Sequence, residues 1–580
     1  MATIVLPFSS ENKVVADGED LFNSDLFKTL PPPFKKVIKD NPHLLEYLNL
    51  VPISQVGVPR YCPELSRNMG DDKEPNYIYP LGGGIFIHIL IDFKDSRNHY
   101  ILIEPTSTFN VDSLVLEVEN KCIEYAHQLP EFDIEGDREN QLIEYIDRII
   151  TVDDLPSPGI SDKGIGFLRR DSGRLTKVKV TQRELEGIRY LFIRDKIGLG
   201  VLEPLVTDPY IEDIGCSGVG QVFVEHKIFK SLKSTITFSS LDELDQFVLR
   251  LAEQVKRPVT YKSPIADATL PSGARINIVY GRDVSKRGSN FSIRRFSKVP
   301  ISIFELVDFG TLNYQMLAYL SLAIGNGMNV FVSGESASGK TAMLNALTTF
   351  IQPLAKIITI EDTPELQVPH QNWIREVVQT TKEAEASGAV TMFDLLKAAL
   401  RQRPNEIMIG EIRGVEGNIA FQAMQTGHAV MATFHAASVE KLIQRITSSP
   451  ISVPRTYIDN LNVAILMSTV KLPTGKTGRR ITSIAEIVGY DPAIEAFNIV
   501  ESFKLDEETD QFDFTGYMTS FILEHKIAPR LGIPSHKKQR IYQELERRAK
   551  ILSKLHQEQK VVGFYEILEV LGKAQREGLF

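Results

Sequence analysis

The most constraining stretch of this 580-residue sequence is Gly334-Glu335-Ser336-Ala337-Ser338-Gly339-Lys340-Thr341, an unbroken G-x-x-x-x-G-K-[ST] pattern. The apolar run Val330-Phe331-Val332-Ser333 precedes it and the helix-forming Ala342–Phe350 follows, which predicts strand, loop and helix in that order. Its glycines let the loop turn backbone N–H groups inward at the positive end of a helix, where phosphate oxygens bind. The Lys340 ammonium can then reach the outer phosphates, and the Thr341 hydroxyl can ligate magnesium. Such a loop belongs in a wound α/β domain, at the C-terminal end of a strand.

Phosphate chemistry also needs carboxylates. Ile407-Met408-Ile409-Gly410-Glu411 reads as a buried strand ending in an acid, similar to a Walker B strand although Gly410 stands at the usual Asp position. Glu411 is expected to act on magnesium through water or on the attacking water. A second apolar strand, Ile357–Ile360, runs into Glu361-Asp362-Thr363-Pro364-Glu365, with acids where open α/β sheets place ligands. Either strand alone reads equally well as a solvated strand end. Their order behind a phosphate loop favours the site, with Glu361 and Asp362 as further candidates on the metal side. Thr426-Gly427-His428 and Thr433-Phe434-His435 flank one more strand, which is expected to carry both histidines to the nucleotide edge. No cysteine or third ligand lies close to them, so no zinc site is expected.

Composition bounds the rest. Hydrophobic residues are 43% and charged residues 24%, a globular mix that excludes a mainly disordered or collagen-like chain. A net charge of −9 leaves no overall polycationic footprint, so nucleic acid is not the expected partner. Cys62, Cys122 and Cys216 are far apart, which suits a reducing compartment. The apolar runs Phe86–Phe93 and Met316–Ile324 are too short to span a bilayer, and the first residues lack a secretory pattern, so a cytoplasmic protein is expected. Residues 1–80 read as an N-terminal extension, loosely ordered over 1–45. Residues 81–165 read as a small α/β domain with the hairpin Ile85–Phe93/His99–Glu104, a helix over Val111–Gln128, and a linker at Leu155–Gly164. Residues 166–299 form an α+β domain with helices at Thr181–Lys196 and Leu241–Val255, 300–310 a hinge, 311–505 the phosphate-loop domain, and 506–580 a helical tail. Ile541, Leu545, Leu552 and Leu555 in that tail have the spacing of an amphipathic helix that packs on its own chain.

These motifs together resemble the secretion ATPase superfamily that drives type II secretion, type IV pili and the archaellum. Ile360-Glu-Asp-Thr-Pro-Glu-Leu matches its Asp-box, Thr426-Gly-His…Thr433-Phe-His its His-box, and Gly410-Glu-Ile-Arg413 its Walker B. Asp208-Pro-Tyr-Ile-Glu-Asp-Ile-Gly-Cys-Ser-Gly218 and Leu270-Pro-Ser-Gly-Ala-Arg275-Ile-Asn277 match its N-terminal-domain signatures, and details such as Pro369-His-Gln-Asn-Trp373 lean to the archaeal branch. The similarity covers about residues 180–500, and the hairpin at 85–104 more loosely. It implies a fold of a RecA-like P-loop ATPase core with a preceding α+β domain, an extra N-terminal α/β region and a helical tail. It implies ATP and Mg2+, a homo-hexamer, and a polytopic membrane platform protein as partner, so that membrane contact is indirect at the inner face of the cell membrane. By position in the motifs, Glu365 is the general base, Glu411 the Walker B acid and His435 the γ-phosphate sensor. Arg413 and His428 join the nucleotide site. Arg275 and Arg294, or Arg295 beside it, fall where the family places phosphate-reaching arginines; alternatively Arg294 and Arg295 straddle a strand as ordinary surface charges. Rival readings are a conjugation or DNA-uptake ATPase of the same superfamily, a RecA-like nucleic-acid motor, and a nucleotide-binding scaffold without hydrolysis.

Overall fold

In the computed structural model, which describes residues 3–8, 22–126, 133, 136–153, 177–295, 299–378 and 390–580, strands gather into two large sheets. One lies in each of two units, Met1–Phe296 and Ser297–Phe580. The linker expected at 155–164 lies outside the described residues.

The first unit is built on β1 (Asn76–Gly82), β2 (Ile85–Leu90), β3 (His99–Ile103), β4 (Ile211–Cys216), β5 (Gly220–His226), β6 (Lys230–Phe238), β7 (Ile265–Thr269), β8 (Arg275–Val279) and β9 (Asn290–Arg294). Their order is β7-β8-β9-β4-β5-β6-β3-β2-β1. Neighbours are antiparallel except at the β6–β3 seam, where Lys233 and Ser234 pair with His99 and Tyr100. One continuous sheet therefore joins regions that the sequence separates near residue 165. Asp208 locks the seam: its carboxylate accepts from the Tyr79 and Tyr100 hydroxyls at 2.7 and 2.8 Å, fully buried. From Pro32 onward the N-terminal region differs from the loose leader expected over 1–45. Helices α1 (Pro32–Asp40) and α2 (Pro42–Leu50) bury Phe34, Ile38, Leu44, Tyr47 and Leu48 in one cluster with Ile78, Phe86 and Ile101. Pro32 and Pro42 open their helices, where a missing N–H breaks no helical hydrogen bond, so these prolines start structure instead of ending it. The hairpin expected over 85–104 is β2–β3. The helices expected next are α3 (Asp112–Glu124), α5 (Gln182–Phe192), closed by a Thr181/Glu184 capping box, and α6 (Leu241–Gln254), whereas α4 (Arg138–Ile149) had no counterpart in the sequence reading.

The second unit begins with α7 (Ile303–Asp308) and α8 (Tyr314–Gly325). The segment read as a hinge thus holds a helix, fixed by a Ser302/Glu305 capping box, whose Ile303 and Phe304 are buried in the unit's main core. There follow β10 (Val330–Gly334), α9 (Lys340–Leu347), β11 (Ile357–Glu361), β12 (Trp373–Val377), α10 (Met392–Arg401), β13 (Glu406–Ile409), α11 (Glu416–Gln425), β14 (Ala429–Phe434), α12 (Val439–Thr447), β15 (Val463–Lys471), β16 (Thr477–Asp491) and β17 (Ala496–Asp506). The sheet order is β12-β11-β13-β14-β10-β15-β16-β17, parallel from β12 to β15 and antiparallel beyond. This is a RecA-like core, with the phosphate-loop strand β10 between two parallel neighbours. Parallel strands covered on both faces read as unbroken apolar runs, which is why β10, β11, β13 and β14 stood out in the sequence.

Helices α13 (Gln539–Gln557) and α14 (Phe564–Arg576) complete the same core. Ile541, Leu545 and Leu552 of α13 are buried as their spacing predicts, and α13 packs on α8. With sheet on one side and α13 on the other, α8 is apolar all round, from Met316 to Ile324, for reasons of packing. His556 of α13 stacks on Phe304 with ring centroids 4.7 Å apart, and its Nδ1 lies 2.9 Å from the Tyr314 hydroxyl. Among the described residues no helix is long and apolar enough to cross a membrane.

Candidate active site

The loop after β10 has the shape its sequence demands. At Gly334 a Cβ would lie 2.2 Å from the Met467 carbonyl oxygen on β15, and Gly339 takes φ +94° as it opens α9. Neither position accepts a side chain without displacing backbone or straining it. Ser338 closes the turn by donating to the Glu335 carbonyl at 2.9 Å. Lys340 is folded under the loop: it is 9% exposed, donates to the same carbonyl at 2.7 Å, and lies 3.5 Å from His435 Nδ1. Burial lowers its pKa, and the nearby Glu411 opposes that shift.

His435 follows the C-terminal end of β14 and brings the loop and the acids together. Its Nε2 is 3.0 Å from Glu411 Oε1. Burial and the Lys340 charge hold the ring below the ordinary histidine pKa, so at neutral pH it is uncharged. A neutral ring between an ammonium and a carboxylate has one consistent tautomer, with the proton on Nε2 facing Glu411 and the Nδ1 lone pair facing Lys340. Glu411 also accepts from Arg413 Nη2 at 2.5 Å, and Arg413 reaches Asp362 at 3.9 Å. Lys340, His435, Glu411, Arg413 and Asp362 thus form one alternating chain of donors and acceptors.

The acids of the Asp-box divide by direction. Glu361, expected on the metal side, turns inward: it is buried, and its Oε1 accepts the backbone N–H groups of Glu365 and Leu366 at 2.8 and 2.7 Å. Its Oε2 faces Arg375 at 3.4 Å. Burial raises its pKa to about 7. A Cβ at Gly410 would lie 3.2 Å from Glu361 Cγ, so the glycine in the usual Asp position makes room for a carboxylate from the next strand. This corrects the expectation for Glu361, whose oxygens are engaged by the loop they shape. Glu365 is half-buried, and its carbonyl is braced by Asn345 of α9, which donates to it at 3.3 Å and accepts the Gln367 N–H at 2.9 Å.

His428 is also corrected. It precedes β14, while the phosphate loop follows the parallel strand β10. A six-residue strand is roughly 20 Å long, so the two histidines sit at opposite edges of the sheet. His428 lies 3.1 Å from the Thr426 hydroxyl at the end of α11 and α11's exit loop. Glu335, Ser336 and Ala337 are exposed on the loop, and Thr341 is half-buried at the start of α9. Sequence reasoning missed Asn345, Arg375 and Arg445, which donates to the His435 carbonyl. Polar residues inside or behind apolar runs signal a brace only once their partners are known.

The expected arginines belong to the first unit. Arg275 of β8 and Arg294 of β9 are directly opposite each other in the antiparallel register, both outward and exposed. Two like charges in such a pair repel. Each is balanced by its own carboxylate, Asp267 at 3.8 Å and Asp213 at 3.1 Å. Arg295 differs: it is half-buried and donates to the Asp208 and Ile211 carbonyls, which leaves Arg294 as the outward member of the pair.

Comparison with known proteins adds the family to this geometry. The profile of the family described as Type II/IV secretion system protein matches residues 195–468. The uncharacterized protein MJ0900 of Methanocaldococcus jannaschii is 40% identical over 546 residues, 94% of this chain and 97% of its own. Protein VirB11 of Agrobacterium fabrum is 28% identical over 302 residues, 46% of this chain and 86% of that one. Among solved structures, the pilus retraction motor PilT with bound ADP aligns at TM-score 0.38 and 19% identity, over 50% of this chain and 84% of that one. With the family's matched segment running from α5's exit through the phosphate loop to β15, this chain belongs to the type II/IV secretion system protein family.

Proposed function

We propose that this protein is an ATP hydrolase that works as a homo-hexamer and drives a membrane-embedded platform protein, to assemble or turn a type IV pilus-like filament or to move protein across the membrane. The observation that carries the reading is the unbroken relay from Lys340 through His435 to Glu411 beneath a glycine-cornered loop. Phosphoryl transfer asks little covalent chemistry of a protein and much electrostatic positioning, which is what such a relay supplies.

The loop N–H groups from Glu335 to Thr341 and the Lys340 ammonium bind the phosphates. The donor set of Thr341 hydroxyl and Glu411 carboxylate fits Mg2+, which takes one or two protein oxygens beside substrate phosphates and water. When bound, it neutralises charge on the transferring group. Glu365 takes a proton from the attacking water as general base. Neutral His435 senses the terminal phosphate, because a ligand oxygen that draws Lys340 away from Nδ1 changes the ring's partners and, through Nε2, those of Glu411. Arg413, released from Glu411, follows. Glu361 positions Glu365 through the backbone. Arg275 and Arg294 supply the positive charge that the first unit brings to the phosphates, each with a rigid fork of donors.

The test is magnesium-dependent phosphate release from purified protein. Lys340→Ala is expected to lose turnover and ATP binding together, since the phosphate charge goes unneutralised. Near-native turnover in that variant would refute the site.

A further inference from the structure

A cavity of about 300 Å³ opens in the second unit between the loop that follows β13 and the last turns of α12. Its polar lining is Arg413 from that loop, with Gln444, Arg445, Ser448 and Ser449 from α12 and the turn after it. All five are exposed, and none is an acid. The two guanidinium groups are balanced unequally. Arg413 donates to Glu411 at 2.5 Å and faces Asp362 at 3.9 Å. Arg445 donates to the His435 carbonyl and lies over the Phe434 ring, 5.2 Å from its centroid, and among the described residues it makes no ion pair. A cation in the last turn of a helix ordinarily serves the free carbonyls there. This one turns back to the end of β14 instead, so the stability of α12 does not account for it. Burial and Lys340 depress the His435 pKa most, and Arg413 and Arg445 add to that effect, so both guanidinium groups stand near the ring. Ser448 donates its proton to the Gln444 carbonyl at 2.6 Å, which leaves the Ser449 hydroxyl and the Gln444 amide as the neutral donors of the cavity.

We propose that this cavity holds an inorganic phosphate ion between Arg413 and Arg445, and that it is the first stop of the phosphate leaving the reaction site. The role as an exit rests on the hydrolase reading above; the anion site itself does not. Two like charges facing one cavity repel each other unless an anion lies between them. Two guanidinium groups offer rigid forks of donors, which suit the oxygens of a phosphate. The cavity has room for such an ion with several waters. Position supplies the direction. A phosphate cleaved beside Lys340, His435 and Glu411 starts with the diphosphate still seated under the loop, so the way back over the loop is closed. Arg413 spans from Glu411 to the cavity. An ion that takes Arg413 from Glu411 is therefore drawn on toward the unpaired charge of Arg445. Because Arg445 also holds the His435 carbonyl, an occupied cavity acts back on the site, and product phosphate slows the next turnover.

Calorimetric titration of inorganic phosphate into the whole chain, with the phosphate loop first saturated by ADP, tests the proposal. A single phosphate per subunit is expected to bind beside the ADP. Arg445→Gln is expected to weaken that binding by roughly ten- to a hundredfold, the contribution of a hydrogen bond to a charged group. Gln444→Glu is the second variant, since it leaves both guanidinium groups and the His435 brace in place while adding a carboxylate to the cavity. It is expected to weaken phosphate by a similar factor. Lys340→Ala, titrated without ADP, is expected to keep the phosphate site, which separates the cavity from the loop. In turnover assays added phosphate is expected to inhibit without competing with ATP, and Gln444→Glu to resist that inhibition. No phosphate bound beside ADP, equal affinity in the parent and Gln444→Glu, loss of phosphate binding in Lys340→Ala, or displacement of the phosphate by excess ADP would each overturn the proposal. Phosphate bound by a parent protein that lacks turnover would sustain the anion site and overturn its role as an exit.

Discussion

Lys340 in the second unit and the Arg275–Arg294 pair in the first are both cations expected at phosphate, and they are held in opposite ways. Lys340 is folded beneath a loop, with a carbonyl and a histidine nitrogen fixed around it. The arginines stand side by side on the open face of a sheet, repelling each other, each tied only to an exposed aspartate. Exposed ion pairs are worth less than about 1 kcal/mol, so an arriving anion can take either arginine from its aspartate at little cost. The difference teaches that one half of the proposed site is organised before ligand arrives and the other is organised by it.

The preorganised half is expected to govern the chemical step. Glu365→Gln is expected to lower kcat by roughly a thousandfold while ATP still binds, because binding rests on the loop and Lys340. Normal hydrolysis by Glu365→Gln would assign the base to another acid and dissolve the contrast. The ligand-organised half should contribute less and depend on assembly. Arg294→Ala is expected to lower turnover by roughly ten- to a hundredfold without loss of ring formation, and turnover per subunit of the parent should rise steeply with protein concentration. Sedimentation alongside phosphate release checks both, and concentration-independent turnover from a monomer would remove the need for a ring. Glu361 offers the smallest effect and the sharpest one. Its folded pKa is raised, so the folded state holds the proton more tightly and its stabilisation is complete below about pH 4.5 and lost as pH rises through about 7. The span corresponds to something on the order of 3 kcal/mol. Glu361→Gln, which keeps the acceptor for the Glu365 N–H, should flatten the melting temperature across that window and change turnover no more than several-fold. An unaltered pH profile would mean that the carboxylate is not buried as described.

The phosphate loop, the parallel strands and the acids at their ends were legible because each is an uninterrupted local pattern: an apolar run, then glycine or an acid. His428 and His435 read alike in sequence, since both border one strand, and only the direction of β14 relative to β10 separates them. Glu361 read as a candidate on the metal side, like Asp362 beside it, because both stand at the end of an apolar strand. Its inward turn depends on the space left at Gly410, a contact between strands 49 residues apart in sequence. Helices α1 and α2 were missed because proline reads as a breaker unless its place in the first turn is known. Arg294 and Arg295 were left open in sequence, and strand alternation settles which of them points outward.

The packing of α13 and α14 against α7 and α8 has a consequence for how the protein is born. Phe304, Leu317 and Leu320 of the first helices are buried in a core that also needs Ile541, Leu552, Ile567 and Leu571. Translation at roughly 5–20 residues per second reaches the phosphate loop some ten to fifty seconds before it reaches Leu571. During that interval the lysine and its acids exist as chain, but the core beneath them lacks its last wall. A polypeptide cut short in that stretch therefore has a complete nucleotide motif and an open apolar face, and is marked for chaperones.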